Sequence, residues 1–144
     1  MFHRWAALAL VLALWCLTPE SAAGQSAQPD QQPRGRKSGI LGQNYPNPFN
    51  PETNIPFSLA CDEGGGGDFV VSLRIYNVLA QLVAIPVLQE QDALLDDIRL
   101  TCGDYVAYWD GKVRSTGREA PPGIYIYELV VDGERSAKKM YIAK

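Results

Sequence analysis

Reactive side chains are few in this chain and unevenly placed. Its 144 residues hold one histidine, His3, and three cysteines, Cys16, Cys61 and Cys102. His3 falls inside a stretch that reads as an export signal, so the remainder has no imidazole. That removes Ser-His and Cys-His nucleophilic pairs and the usual zinc sets. Carboxylates such as Asp62, Asp68, Asp96, Asp97, Asp104 and Asp110 are scattered. Two carboxylates hydrolyse glycosides only when a fold fixes them across a cleft, and no spacing here does so. The Asp96-Asp97 pair reads as a solvated face or turn. Calcium needs oxygen ligands at patterned positions around a tight turn, and no such loop is evident. The glycine quartet at residues 64–67 lacks the Lys-Ser/Thr of a phosphate loop and its strand–helix context. The expectation is a protein that is not an enzyme, with no cofactor, no metal and no small-molecule substrate.

Residues 1–23 read as a secretory signal peptide. His3 and Arg4 give a positive start, and residues 5–17 form an uncharged apolar core. That core is shorter than the roughly 20 apolar residues a membrane span needs. Pro19 breaks it, and Ser21-Ala22-Ala23 offers small residues for cleavage. Export is therefore expected: periplasmic in transit, then secreted or at the cell surface. The formal net charge is −3, and the signal carries one Arg and one Glu, so its removal leaves that value unchanged. Such mild acidity argues against a nucleic-acid partner, which requires a basic surface.

Cys61 and Cys102 then remain, an even pair in an exported chain. A disulfide between them is the natural reading, closing a loop of about 40 residues. Two buried thiols or an intermolecular bridge are the competing readings. Residues 24–40 are rich in Gln, Pro, Gly and Ser without an apolar face, and read as a disordered linker. Arg34, Arg36 and Lys37 within it read as solvated charge.

From residue 41 onward the hydrophobic period is two rather than 3.6. Ile55, Phe57 and Leu59 alternate, with Pro56 between them suiting an edge strand. Val71, Leu73 and Ile75 share one face, and Ser72, Arg74 and Tyr76 the other. Residues 82–88 form a third apolar run. Residues 89–100 are ambiguous: Leu94, Leu95 and Ile98 would line a short helix, or residues 98–100 a short strand. Tyr105, Ala107 and Trp109 alternate, and Trp109 reads as core. Tyr125, Tyr127, Leu129 and Val131 share a face, Asp132-Gly133 is a hairpin signal, and Met140 and Ile142 point one way in the last strand. About seven short strands with regular turns predict an all-β fold, an Ig-like antiparallel β-sandwich over residues 41–144.

Several blocks in this order resemble one family. Asn44-Tyr45-Pro46-Asn47-Pro48-Phe49-Asn50-Pro51 is the most specific of them. It is followed by the strand Val71-Ser72-Leu73-Arg74-Ile75-Tyr76-Asn77-Val78-Leu79, by Trp109-Asp110-Gly111, by Pro122-Gly123-Ile124-Tyr125-Ile126-Tyr127 and by Lys138-Lys139-Met140. The set resembles the type A C-terminal sorting domains of type IX secretion cargo and the related Ig-like domain of the flagellar hook-capping protein. The resemblance implies an exported module read as an address by the outer-membrane secretion translocon, or held at the surface. By position it nominates Gly123, Tyr125, Tyr127, Lys138, Lys139 and Met140 as sorting or recognition residues, against a plain role in maintaining the fold. Ala80 stands where the family has Gly, residues 82–109 are longer than usual, and only the linker separates signal from domain, so no passenger is expected. The alternative is a stand-alone structural or adhesive Ig-like module that binds an envelope protein or a glycan.

Overall fold

Strands that alternate apolar and polar residues need one buried and one wet face, and two stacked antiparallel sheets supply both. The structure, a computed structural model, describes residues 38–143. The expected signal peptide, nearly all of the expected linker and Lys144 lie outside the described residues. Ten strands form: β1 (Gly39–Leu41), β2 (Thr53–Leu59), β3 (Asp68–Asn77), β4 (Leu82–Ala84), β5 (Val87–Leu88), β6 (Ala93–Leu94), β7 (Ile98–Thr101), β8 (Gly103–Trp109), β9 (Gly123–Val131) and β10 (Glu134–Ile142). The five long ones, β2, β3, β8, β9 and β10, are those the period-two reading located. The others are short pieces of two to four residues. No helix forms among the described residues, so Leu94, Leu95 and Ile98 are not helical.

The first sheet runs β1-β2-β8-β5-β6 and the second β10-β9-β3, with β4 and β7 sharing the far edge of β3. Every strand pairing is antiparallel. The inward faces of both sheets merge into one core, in which Phe57, Ile55, Leu73, Ile75, Tyr127 and Met140 are fully buried. The chain changes sheets around residues 85–86, which separate β4 from β5. The apolar run at residues 82–88 is thus not one strand but two strands in opposite sheets. Leu95 is buried where the chain returns toward β7, and its carbonyl accepts from Leu73 N–H at 2.8 Å.

Three local departures have clear causes. β2 is not an edge strand, because β1 flanks residues 57–59. Pro56 is still tolerated: its carbonyl accepts from Gly42 N–H at 2.8 Å, so its donor-less nitrogen faces that side and not the β2–β8 ladder. Gly39, which reads as linker, belongs to β1. A Cβ there would lie 2.6 Å from Val131 Cγ2, so only glycine lets β1 settle on β9. Ala80 keeps the turn that glycine would make. It takes a φ of 59° while its N–H bonds to Asn77 O at 3.0 Å, and Asn77 Oδ1 accepts from Leu79 and Gln81 N–H.

Cys61 and Cys102 are joined, with Cα atoms 4.9 Å apart. The bond sits just beyond the Leu59–Gly103 pair, at one end of the β2–β8 ladder. Asp132 and Gly133, at φ 49° and 87°, form the two-residue hairpin between β9 and β10 that their types predict.

Candidate interaction surface

The proline-asparagine run at residues 44–51 does not merely lead into β2. It is a strap across the end of the sandwich opposite the disulfide, where Thr53 pairs with Trp109. All three of its X–Pro bonds, at Pro46, Pro48 and Pro51, are cis. Phe49 is 1% exposed and meets the Trp109 ring edge-on, with centroids 5.6 Å apart; Trp109 in turn meets Tyr125 at 5.7 Å. Such aromatic contacts add about 0.5–1.5 kcal/mol each beyond the area they bury. The Trp109 indole N–H donates to Lys112 O at 3.0 Å, and the Tyr125 hydroxyl donates to Pro121 O at 2.8 Å. Gly111 is required because a Cβ would fall 2.2 Å from Pro51 O.

Behind the strap lies a buried polar network. Tyr127 is fully buried, and its hydroxyl donates to Gly42 O at 2.9 Å and accepts from Asn44 N–H at 3.0 Å. Asn44 Nδ2 donates to Thr53 Oγ1 and Pro46 O, and Thr53 Oγ1 donates to Pro46 O. Burial pushes the Tyr127 hydroxyl above the ordinary tyrosine range, and the hydrogen bond from Asn44 partly offsets this. Burial also raises Tyr125.

The strap ends on β10. Phe49 and Ile142 form a parallel bridge, with Phe49 N–H to Tyr141 O and Ala143 N–H to Phe49 O, both 3.0 Å. Tyr141 N–H donates to Asn47 Oδ1 at 3.1 Å, and Gln43 Nε2 donates to Lys139 O at 3.2 Å. These bonds fix which groups of β10 face outward: those of the odd-numbered residues. Below Lys139 the outward groups of Arg135 and Ala137 have no protein partner among the described residues.

The six recognition residues nominated by sequence separate accordingly. Tyr125, Tyr127 and Met140 are buried and belong to the core, so a partner meeting the folded domain does not touch them. Gly123 is exposed, at φ 150°, with open space where a Cβ would stand. Lys138 and Lys139 are exposed, and neither has a carboxylate within salt-bridge distance among the described residues.

The outer face of the second sheet is a second exposed surface, which the sequence reading did not single out. Register places Lys139, Ile126, Tyr76 and Leu82 in one cross-strand row, with Tyr141 and Ile124 in the next. Leu82, Ile124 and Tyr141 are 43–46% exposed. Charges border this row: Arg135 contacts Glu128 at 3.4 Å, and Arg74 contacts Asp96 at 2.8 Å. The hydrogen bond to Asp96 holds Arg74 above its ordinary value. Asp97 exchanges hydrogen bonds with Ser72, its N–H donating to Ser72 Oγ at 2.9 Å. The Asp96-Asp97 pair thus ties the β6–β7 connection to β3.

Compared with known proteins, the chain matches no family model, no curated protein and no solved structure.

Proposed function

We propose that this chain is a non-catalytic exported module whose folded domain is read by an envelope partner, the outer-membrane secretion translocon or another envelope protein. The flank of β10 is the surface that partner reads. The observation that supports this is the pairing of two of the motifs the resemblance rests on, the first and the last. The strap at residues 44–51 holds the Tyr141–Ala143 end of β10 by backbone bonds. Next to that fixed end stand Lys138 and Lys139, exposed and without acidic partners among the described residues. A rigid strand presenting unpaired charge suits recognition of a folded domain.

Fusion of residues 38–144 to a reporter in a type IX-competent host tests it. The reporter is expected outside the outer membrane, and Lys138→Glu with Lys139→Glu is expected to hold it in the periplasm. An intact, folded fusion that stays periplasmic without those changes ends the reading. A second reading, an adhesive or structural module, is favoured by the outer-face row of half-buried Tyr76 and Ile126 and exposed Leu82, with exposed Ile124 and Tyr141 beside it. Aromatic and aliphatic side chains on a flat sheet suit a protein or glycan partner. Envelope pull-down or glycan-array binding, lost on Tyr76→Ser with Tyr141→Ser, distinguishes it.

A further inference from the structure

One edge of the sandwich carries a run of unpaired backbone groups with a groove beside it. Between β1 and residues 135–138 of β10 lies a groove of about 300 Å³. The outward N–H and C=O groups of Arg135 and Ala137, with the N–H of Lys139, line one side of this groove. β1 lines the other side of the groove, too close to β10 for a strand to pair with both at once. Ala60 N–H bonds to Ser38 O, and Gly42 N–H bonds to Pro56 O, so the alternate groups of Gly39 and Leu41 face away from β2. The strap closes β10 from residue 141 onward, and Gln43 takes the Lys139 carbonyl. Among the described residues, what remains open on β10 is about five residues long, the usual length of a strand.

We propose that this open edge of β10 receives an extended segment of another protein, with alternating acidic and apolar side chains, as a strand added antiparallel or parallel to β10. Backbone hydrogen bonds to Arg135, Ala137 and Lys139 supply the pairing, as in other strand-addition sites. Ile40, 64% exposed on the β1 side, supplies apolar contact. Lys138 and Lys139 point to opposite faces of β10, and the lysine on the face where the acidic side chains fall selects the charge; Arg135 already meets Glu128. The lysines also disfavour a second copy, because two β10 edges brought together would set lysine against lysine. The basic residues Arg34, Arg36 and Lys37 of this chain are equally unsuited to this edge. Charged edge residues ordinarily deter unwanted pairing; here the same lysines leave the edge open to a strand of opposite charge.

The proposal rests on the reading of the β10 flank as partner-facing, and it is tested without export. The full chain, ¹⁵N-labelled and with its disulfide formed, is titrated with a synthetic peptide of alternating valine and glutamate. Amide shifts are expected at residues 135–139 and 39–41, with slowed exchange of the Arg135, Ala137 and Lys139 N–H groups. A valine–lysine peptide should bind at least roughly tenfold more weakly, and raised salt should weaken the acidic peptide. Methylating the peptide backbone nitrogens on one edge should abolish binding. Ala137→Pro removes an outward N–H at a position where a strand edge tolerates proline, and should fold normally yet lose the peptide. Should it not fold, Lys138→Glu with Lys139→Glu is the second variant, expected to reverse the charge preference. Undiminished binding of the methylated peptide, shifts confined to the outer face around Tyr76 and Ile126, or no shift at millimolar peptide would each overturn the proposal. Peptide binding with failed export would instead sink only the translocon reading.

Discussion

From Tyr141 to Ala143 the outer edge of β10 is covered by the strap, whereas from Arg135 to Lys139 the same edge is almost bare among the described residues. Both halves pair with β9 without a break in register. The covered half needs no charge: Met140 and Ile142 are buried, and its outward backbone groups bond to Asn47 and Phe49. The bare half carries Arg135, Lys138 and Lys139. An edge can be neutralised by bonding it or by charging it, and this strand does each in turn. The strap half is the one bonded for stability, and the charged half is the one proposed for recognition.

The harshest challenge to that division is Phe49→Ala. Removing a fully buried aromatic that meets Trp109 and anchors the β10 bridge should cost about 3–5 kcal/mol. Urea unfolding monitored by Trp fluorescence measures it. A loss below about 1 kcal/mol would reduce the strap to surface decoration.

A second comparison runs along the β2–β8 ladder. Its Thr53–Trp109 end is sealed by aromatic packing and its Leu59–Gly103 end by the Cys61–Cys102 bond. Replacing both cysteines by serine should cost about 2–4 kcal/mol, through a freer unfolded chain. Denaturant midpoints of this variant and of Phe49→Ala should add when combined, because the two ends share no partner. Clear non-additivity would make them one cooperative unit.

Tyr127→Phe probes the strap from behind. It deletes the hydroxyl that bonds Gly42 and Asn44, and should cost about 1–3 kcal/mol. It should also change the alkaline limb. Tyr127 is held above its unfolded value, so between the two values the folded state keeps a proton that the unfolded state has lost. Its contribution is intact below the ordinary tyrosine pKa of about 10 and is lost as pH rises past it. Stability measured against pH should therefore fall less steeply above about pH 10 in the variant. Unchanged steepness would assign the fall to Tyr125 and other groups.

Alternation made the five long strands legible, and the turn types made Asp132-Gly133 legible, because both are local signals. The cysteine pair was legible from its even count once residues 1–23 are read as an export signal. β1 was not: three residues beginning with glycine carry no period, and the reason for Gly39 is Val131, far away in sequence. The strap's attachment to β10 was equally hidden. It joins Asn47 to Tyr141 through a side-chain carbonyl, and nothing in a proline-rich run reveals a partner at that separation. Tyr125, Tyr127 and Met140 stand on alternating apolar faces, and that periodicity already marks them as core. Their nomination for recognition came from the resemblance alone.

Smaller effects refine the picture. Ala80 stands at φ 59°, where an L side chain costs about 1–2 kcal/mol per residue. Ala80→Gly relieves this but loosens the unfolded chain, so a net gain of roughly 0.5–1 kcal/mol is expected in thermal melts. A loss would mean that the Asn77 hydrogen bonds absorb the strain.

The smallest effect is expected in the bare half of β10, and there a null result on stability is the informative one. Lys138→Ala with Lys139→Ala removes two exposed charges that make no salt bridge among the described residues. Stability should move by less than roughly 0.5 kcal/mol. Colloidal behaviour should change more, because an uncharged open edge is a template for pairing with another chain. Sedimentation velocity across a concentration series is expected to show association in the double variant and not in the parent. Equal monomer fractions in both would mean that β1 and the strap already shield the edge by geometry. The lysines would then have no protective task, and the same shielding would count against the addition of any strand at this edge.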